Sequence, residues 1–146
     1  AARLSEEKVV RHTDDVPHQK VWIAWHSPGL YQTGDADLDV LASVLASGKD
    51  SRLYSHLVHD TQVAKSIKAY QVSLLLSSFY VIEATASPGK TTDEVVTEVD
   101  RVMAEMLKDG PTEEEVQIAK VNWEARFFGD MASIRAKSNQ IGRAHV

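Results

Sequence analysis

One helix-start signature occurs twice in the second half of the chain, and it limits the folds available. Thr91-Thr92-Asp93-Glu94 and Thr112-Glu113-Glu114-Glu115 each set a Thr three positions before a Glu. In such a capping box the Thr hydroxyl and the Glu carboxylate each satisfy a backbone N–H that the first helical turn leaves unpaired. Asp109-Gly110-Pro111 stands between them, a Gly suited to ending a helix followed by a Pro that cannot extend one. Two successive helices are therefore expected. Val95, Val99, Val102, Met103 and Met106 form the apolar face of the first, over 91–108. Val116, Ala119, Trp123 and Phe127 follow at helical spacing in the second, and Met131, Ile134 and Ile141 suggest a final helix after Gly129. Apolar faces of this kind need another layer to bury against.

That layer is legible upstream. Val21, Ile23 and Trp25 alternate with Trp22, Ala24 and His26, a period of two that reads as a strand. Both faces are apolar at its centre, so it is expected inside a sheet, covered on both sides. Residues 8–12, with Val9 and Val10, read as a further short strand. Residues 66–72 and 79–86 read as two strands paired antiparallel across 73–78. Leu74-Leu75-Leu76 in that connection fits either a strand extension or contact with another surface. Residues 35–47 read as a largely buried helix, with Asp35 and Asp37 at its N-terminal dipole end and Gly48 after it. Ser51 is a suitable N-cap for a short helix carrying Leu53, Tyr54, Leu57 and Val58. Strands and helices come in pairs, which defines the fold class α+β: two layers, a mostly antiparallel sheet with helices packed on one face.

Composition closes off several functions. The 146 residues suit one domain. Lys plus Arg number 16 and Asp plus Glu 21, a net charge of −5, which argues against a nucleic-acid or anionic-membrane partner. No charge-free window is longer than that at 69–82, and it is shorter than the roughly 20 apolar residues of a spanning helix. No cysteine is present, so disulfides, thiolate metal sites and cysteine nucleophiles are excluded.

Candidate chemistry is sparse. His56 and His59 lie three apart with Asp60 next, a spacing at which two imidazoles could share an ion. No third ligand is indicated and no Glu occurs over 51–70, so a solvated helix face is the better reading. Glu113, Glu114 and Glu115 sit where a helix dipole alone favours carboxylates. Ser51 has no Gly-x-Ser-x-Gly elbow around it, and N-capping accounts for it. Trp22, Trp25 and Trp123 are expected in packing rather than as a stacking platform. The residues alone define an α+β domain without a catalytic constellation.

A longer pattern says more. Trp25-His26-Ser27-Pro28-Gly29, the apolar helix over 38–45, and then Ser47-Gly48-Lys49-Asp50-Ser51-Arg52-Leu53-Tyr54 resemble the second half-domain of the pitrilysin/insulinase-type zinc metallopeptidases. Ala84-Thr85-Ala86-Ser87-Pro88-Gly89 and Asp109-Gly110-Pro111 are similar to that family's strand ending and interhelix turn. The likeness runs over 9–142.

The resemblance implies a half-domain of the mitochondrial processing peptidase type, duplicated in a larger protein whose two halves enclose a chamber. One half holds zinc through His-x-x-Glu-His and a distal Glu; the other is metal-free and helps hold an extended peptide. This sequence lacks the motif and so resembles the second kind. Catalytic residues and cofactors are then expected to be absent from this chain, with zinc in the paired half. Ala1 in place of Met and the uncapped Gly142-Arg143-Ala144-His145-Val146 read as cut ends, so 1–146 is expected to be one truncated, inactive half-domain of a larger peptidase. Its expected partners are the catalytic half, a peptide substrate and, through an unpaired sheet edge, a second copy. Family analogy implies a bacterial periplasm or cytoplasm. Many members carry Arg-Glu-Lys-x-Gly-Leu-x-Tyr after Ser-Arg-Leu, with the Arg and Tyr reaching the substrate. Here Val58 and Lys65 fill those two positions. Lys65, Arg52 and Tyr54 are the candidate substrate-contacting residues. The alternative function is an inactive interaction or assembly module on the same fold.

Overall fold

The computed structural model describes residues 5–131 and 137–138. Its elements are β1 (Lys20–Ser27), α1 (Asp35–Ala46), α2 (Arg52–Tyr54), β2 (Ala64–Val72), β3 (Ser78–Ala86), α3 (Thr92–Asp109) and α4 (Glu113–Met131). A π-helical turn, Ser55–Asp60, continues α2. The chain forms two compact units, divided between Pro111 and Thr112.

In the first unit the sheet order is β1-β3-β2, with both pairings antiparallel. The register puts Ile23 opposite Ile82 and Ile82 opposite Ala69, so this row shares one face. On the same face lie Ala84, Ile67 and Tyr80, all buried. α1 and α2 pack against β2, and α3 against β1 and β3. Leu45, Leu53, Leu57, Val95 and Val99 are fully buried with Ile82 and form the core between sheet and helices. This is the expected α+β layering. The other face carries Trp22, Tyr70 and Phe79, which are exposed.

The central strand is β3, not β1. β3 is buried along nearly its whole length, whereas among the described residues β1 pairs on one side only. Trp22 and Trp25 are 58% and 41% exposed, which corrects the expectation that they pack inside a covered strand. Trp22 lies on the open face, while Trp25, opposite Tyr80 on the core face, is left partly uncovered at the edge of the sheet. The strand expected at 8–12 does not form. Val9 and Val10 are exposed, and Arg11 is tied instead to Asp93 of α3 by a 2.9 Å ion pair. β-propensity without a partner strand does not make a strand.

Local signals at α3 hold. Thr91 accepts from the Glu94 N–H through its side chain, and Glu94 accepts from the Thr91 N–H at 2.8 Å. Gly110 ends the helix at φ 70, a conformation that costs glycine nothing. The leucine run does not extend a strand: Leu74, Leu75 and Leu76 stand exposed at the β2–β3 turn. The Ser78 hydroxyl closes that turn, accepting from Leu74 N–H and donating to Leu74 C=O.

The second unit contains α4, opened by the second capping box. Thr112 N–H donates to Glu115 and Glu115 N–H donates to the Thr112 hydroxyl. Trp123 packs on Phe127 with stacked ring centroids 5.6 Å apart and remains 47% exposed. The helix expected after Gly129, with Ile134 and Ile141, falls mostly outside the described residues.

Candidate functional site

Of the residues that the sequence pattern singled out, Val58 and Lys65 meet at the junction between the helical segment and the sheet. The short helix enters at Ser51, which is buried but does not cap it: its hydroxyl donates backwards to Gly48 C=O at 2.7 Å. Tightening that loop competes with capping for the same hydroxyl, which corrects the N-cap expectation. Leu53 and Leu57 anchor the segment in the core. The helical run then widens. Thr61 N–H and the Thr61 hydroxyl both donate to His56 C=O, at 2.9 and 2.8 Å, giving the five-residue span of a π-turn. Gln62 follows at φ 52 and reverses the chain into β2.

β2 begins irregularly. A register shift between Ala64 and Ser66 leaves Lys65 as the extra residue, and such a bulge re-aims the side chain it carries. Ser87 N–H donates to Val63 C=O at 2.9 Å, tying the start of β2 to the end of β3. Between these segments lies a shallow, open depression of about 660 Å³. Val58 and Thr61 line it from the helical side, Gln62, Ala64 and Lys65 from β2 and its approach, and Ser87, Pro88 and Lys90 from the turn after β3.

Val58 and Lys65, aligned to the Arg and Tyr positions of the family pattern, thus share one concavity. Lys65 is exposed, with its ammonium 3.4 Å from His18 Nε2. The other two candidate contacts lie apart. Arg52 donates to Gly110 C=O at 3.0 Å, so its guanidinium holds the C-terminal end of α3. Tyr54 is half-buried and does not line the depression. Thr61, Ser87 and Lys90 were not foreseen; the Ser87-Pro88-Gly89 break after a strand was the available signal.

The histidine pair is split. His56 bonds Glu98 of α3 through Nε2, while exposed His59 turns to its neighbour Asp60. Among the described residues no group of three or more His, Asp or Glu could hold a metal ion. Nothing at this junction fits zinc. The Glu113–Glu115 run likewise serves a helix start, with Glu115 accepting from Thr112 N–H.

The chain belongs to the peptidase M16 inactive-domain family, whose sequence model matches residues 1–122. It is 25% identical over 124 residues to the zinc protease PqqE of Helicobacter pylori, covering 85% of this chain and 28% of that protein. The fold superposes on the crystal structure of a protease from Helicobacter pylori with a TM-score of 0.80, at 23% identity, covering 87% of this chain and 31% of the other. A peptidase M16 inactive domain from Pseudomonas fluorescens matches with a TM-score of 0.67 at 18% identity, covering 75% of this chain and 26% of that one. The chain therefore spans less than a third of the length of these relatives.

Proposed function

We propose that this chain is one half of a larger zinc metallopeptidase, the non-catalytic half, forming a wall of the substrate chamber and helping to hold peptides for cleavage by a paired zinc-binding half. The observation that carries the reading is the shared depression of Val58 and Lys65 on a family fold. In this reading the wall binds and orients an extended peptide, and enclosure excludes large folded proteins and bulk water. Lys65 donates to peptide carbonyls as a point charge, without the bidentate geometry of an arginine. Arg52 supports that wall through the end of α3.

The test is reconstitution with the His-x-x-Glu-His half encoded with it. Peptide cleavage is expected from the mixture and from neither part alone, with zinc at one equivalent on the other half. One equivalent of zinc on this chain, or full cleavage by the other half without it, would overturn the reading.

A second reading has one observation in its favour. Val58 and Lys65 supply neither the guanidinium nor the phenol that the family pattern puts at these positions. An assembly module on the same fold would then bind its partner half as before but leave the cleavage rate unchanged.

A further inference from the structure

The chain is acidic, with a net charge of −5, yet the depression at the start of β2 carries the opposite sign. Its charged lining residues are Lys65 and Lys90, with no Asp or Glu among them. His18 Nε2 stands 3.4 Å from the Lys65 ammonium. Glu94, which lies in α3, takes one Lys90 donor at 2.9 Å. An ammonium has three donors, so both lysines keep donors free for a ligand. The floor between them is apolar and small, made by Val58, Ala64 and Pro88.

From this geometry we propose that the depression is an anion-accepting subsite that takes a carboxylate of an extended peptide, between Lys65 and Lys90. The inference rests on the peptide-binding reading above and adds to it a preference among peptides. Two flexible point charges on an open rim recognise charge rather than one planar geometry. The register shift leaves Lys65 as the extra residue of β2, and Lys90 follows the Ser87-Pro88-Gly89 turn; both line the depression. The carboxylate could belong to an acidic side chain or to a peptide C-terminus.

The experiment uses the full 146-residue chain and fluorescein-labelled short peptides of one sequence, read by anisotropy. One peptide carries two internal Glu with both ends blocked. A second has Gln at those positions and blocked ends, and a third has Gln with a free C-terminal carboxylate. The blocked Glu peptide, the free-carboxylate peptide or both should bind about three- to tenfold more tightly than the blocked Gln peptide, the gain two exposed ion pairs supply. Which of the two gains identifies the source of the carboxylate. The gain should shrink between about 20 mM and about 300 mM NaCl, as exposed charges are screened. Lys65→Gln with Lys90→Gln should abolish it, while Lys20→Gln, on the open sheet face, leaves it intact; circular dichroism checks that each variant folds. Equal binding of all three peptides would sink the subsite and leave the chamber-wall reading standing, as would a preference that survives the double substitution. Failure to bind any of the peptides would sink both.

Discussion

The Ser73 hydroxyl donates to the Asp35 carboxylate at 2.5 Å, joining the first residue of α1 to the turn after β2. Asp35 is buried, and it also accepts from Tyr31 N–H at 3.0 Å and from the Gln71 side-chain amide at 3.2 Å. One carboxylate thus fastens the β1–α1 loop, the start of α1 and the end of β2. Burial works to raise its pKa, but the bonds from Ser73, Tyr31 and Gln71 outweigh burial and hold it below the ordinary carboxylate range.

The sign of the pH effect follows. A folded-state pKa below the unfolded one contributes stability that is present above the ordinary Asp pKa of about 3.9 and is lost as pH falls through the folded value. Asp35→Asn should cost about 1–3 kcal/mol near neutral pH, because it leaves buried donors without their acceptor. Urea unfolding across the acid range should bring the two proteins together as the wild type loses this contribution. A constant gap from neutral to strongly acid pH would show that the charge is not what matters.

A second cross-link joins the π-helical turn to α3. His56 Nε2 meets Glu98, both side chains are about three-quarters buried, and Arg101 approaches Glu98 at 4.0 Å. Leu57, next to His56 in sequence, and Val95, three residues before Glu98, are both fully buried. In a double-mutant cycle, His56→Ala and Glu98→Gln should each destabilise, with a coupling of about 0.5–1.5 kcal/mol. Additive effects in urea unfolding would mean that the contact is incidental and that α3 is held by apolar packing alone.

What could be read in advance was what a few neighbouring residues decide. Thr91 with Glu94 and Thr112 with Glu115 are three apart, so their partnership is written into local spacing. Gly110 and Pro111 end α3 for equally local reasons. Asp35 was legible only as a helix-dipole residue, because its partners Gln71 and Ser73 come from a different strand end. The position of β1 at an edge is likewise non-local: aromatic alternation marks Trp22 and Trp25 as strand residues, but only the β1-β3-β2 order decides that they stay exposed. At the candidate site, Lys65 was reachable through the family pattern. Lys90 was not, since its approach depends on the Ser87–Val63 bond that brings two chain segments together.

Tyr80 offers a test at the alkaline end. Its ring is buried at 6.2 Å from Trp25, and its hydroxyl has no hydrogen-bond partner among the described residues. Burial, with a smaller contribution from the charge of Asp39, pushes its pKa above the usual tyrosine value. A raised folded-state pKa contributes stability that is complete below the ordinary value of about 10 and is lost as pH rises through the folded one. Tyr80→Phe should be neutral or stabilising by up to about 1 kcal/mol near neutral pH, since it removes a buried, unpaired hydroxyl. Above about pH 10 the wild type should lose stability faster than the variant in urea unfolding. Parallel decline of the two proteins would place Tyr80 in contact with water.

The sheet edges make the last prediction. Among the described residues β1 and β2 each pair on one side only, so their outer N–H and C=O groups can template another strand. The two edges differ in protection. β2 carries Lys65 and Lys68, the kind of charge that discourages edge-to-edge pairing, and its bulge at Lys65 interrupts a flat edge. β1 runs Val21-Trp22-Ile23-Ala24-Trp25 without a charge after Lys20. Self-association through β1 is therefore expected, visible as a concentration-dependent sedimentation coefficient. Ala24 is exposed on the open face beside Trp22 and opposite Val81, so Ala24→Lys places a charge on that edge without entering the core. It should weaken association about three- to tenfold, the effect of one charge brought against a paired copy. Lys68→Ala should leave β1-mediated association unchanged. A wild-type chain that stays monomeric at high concentration, or association that responds to Lys68 and not to Ala24, would refute pairing through β1.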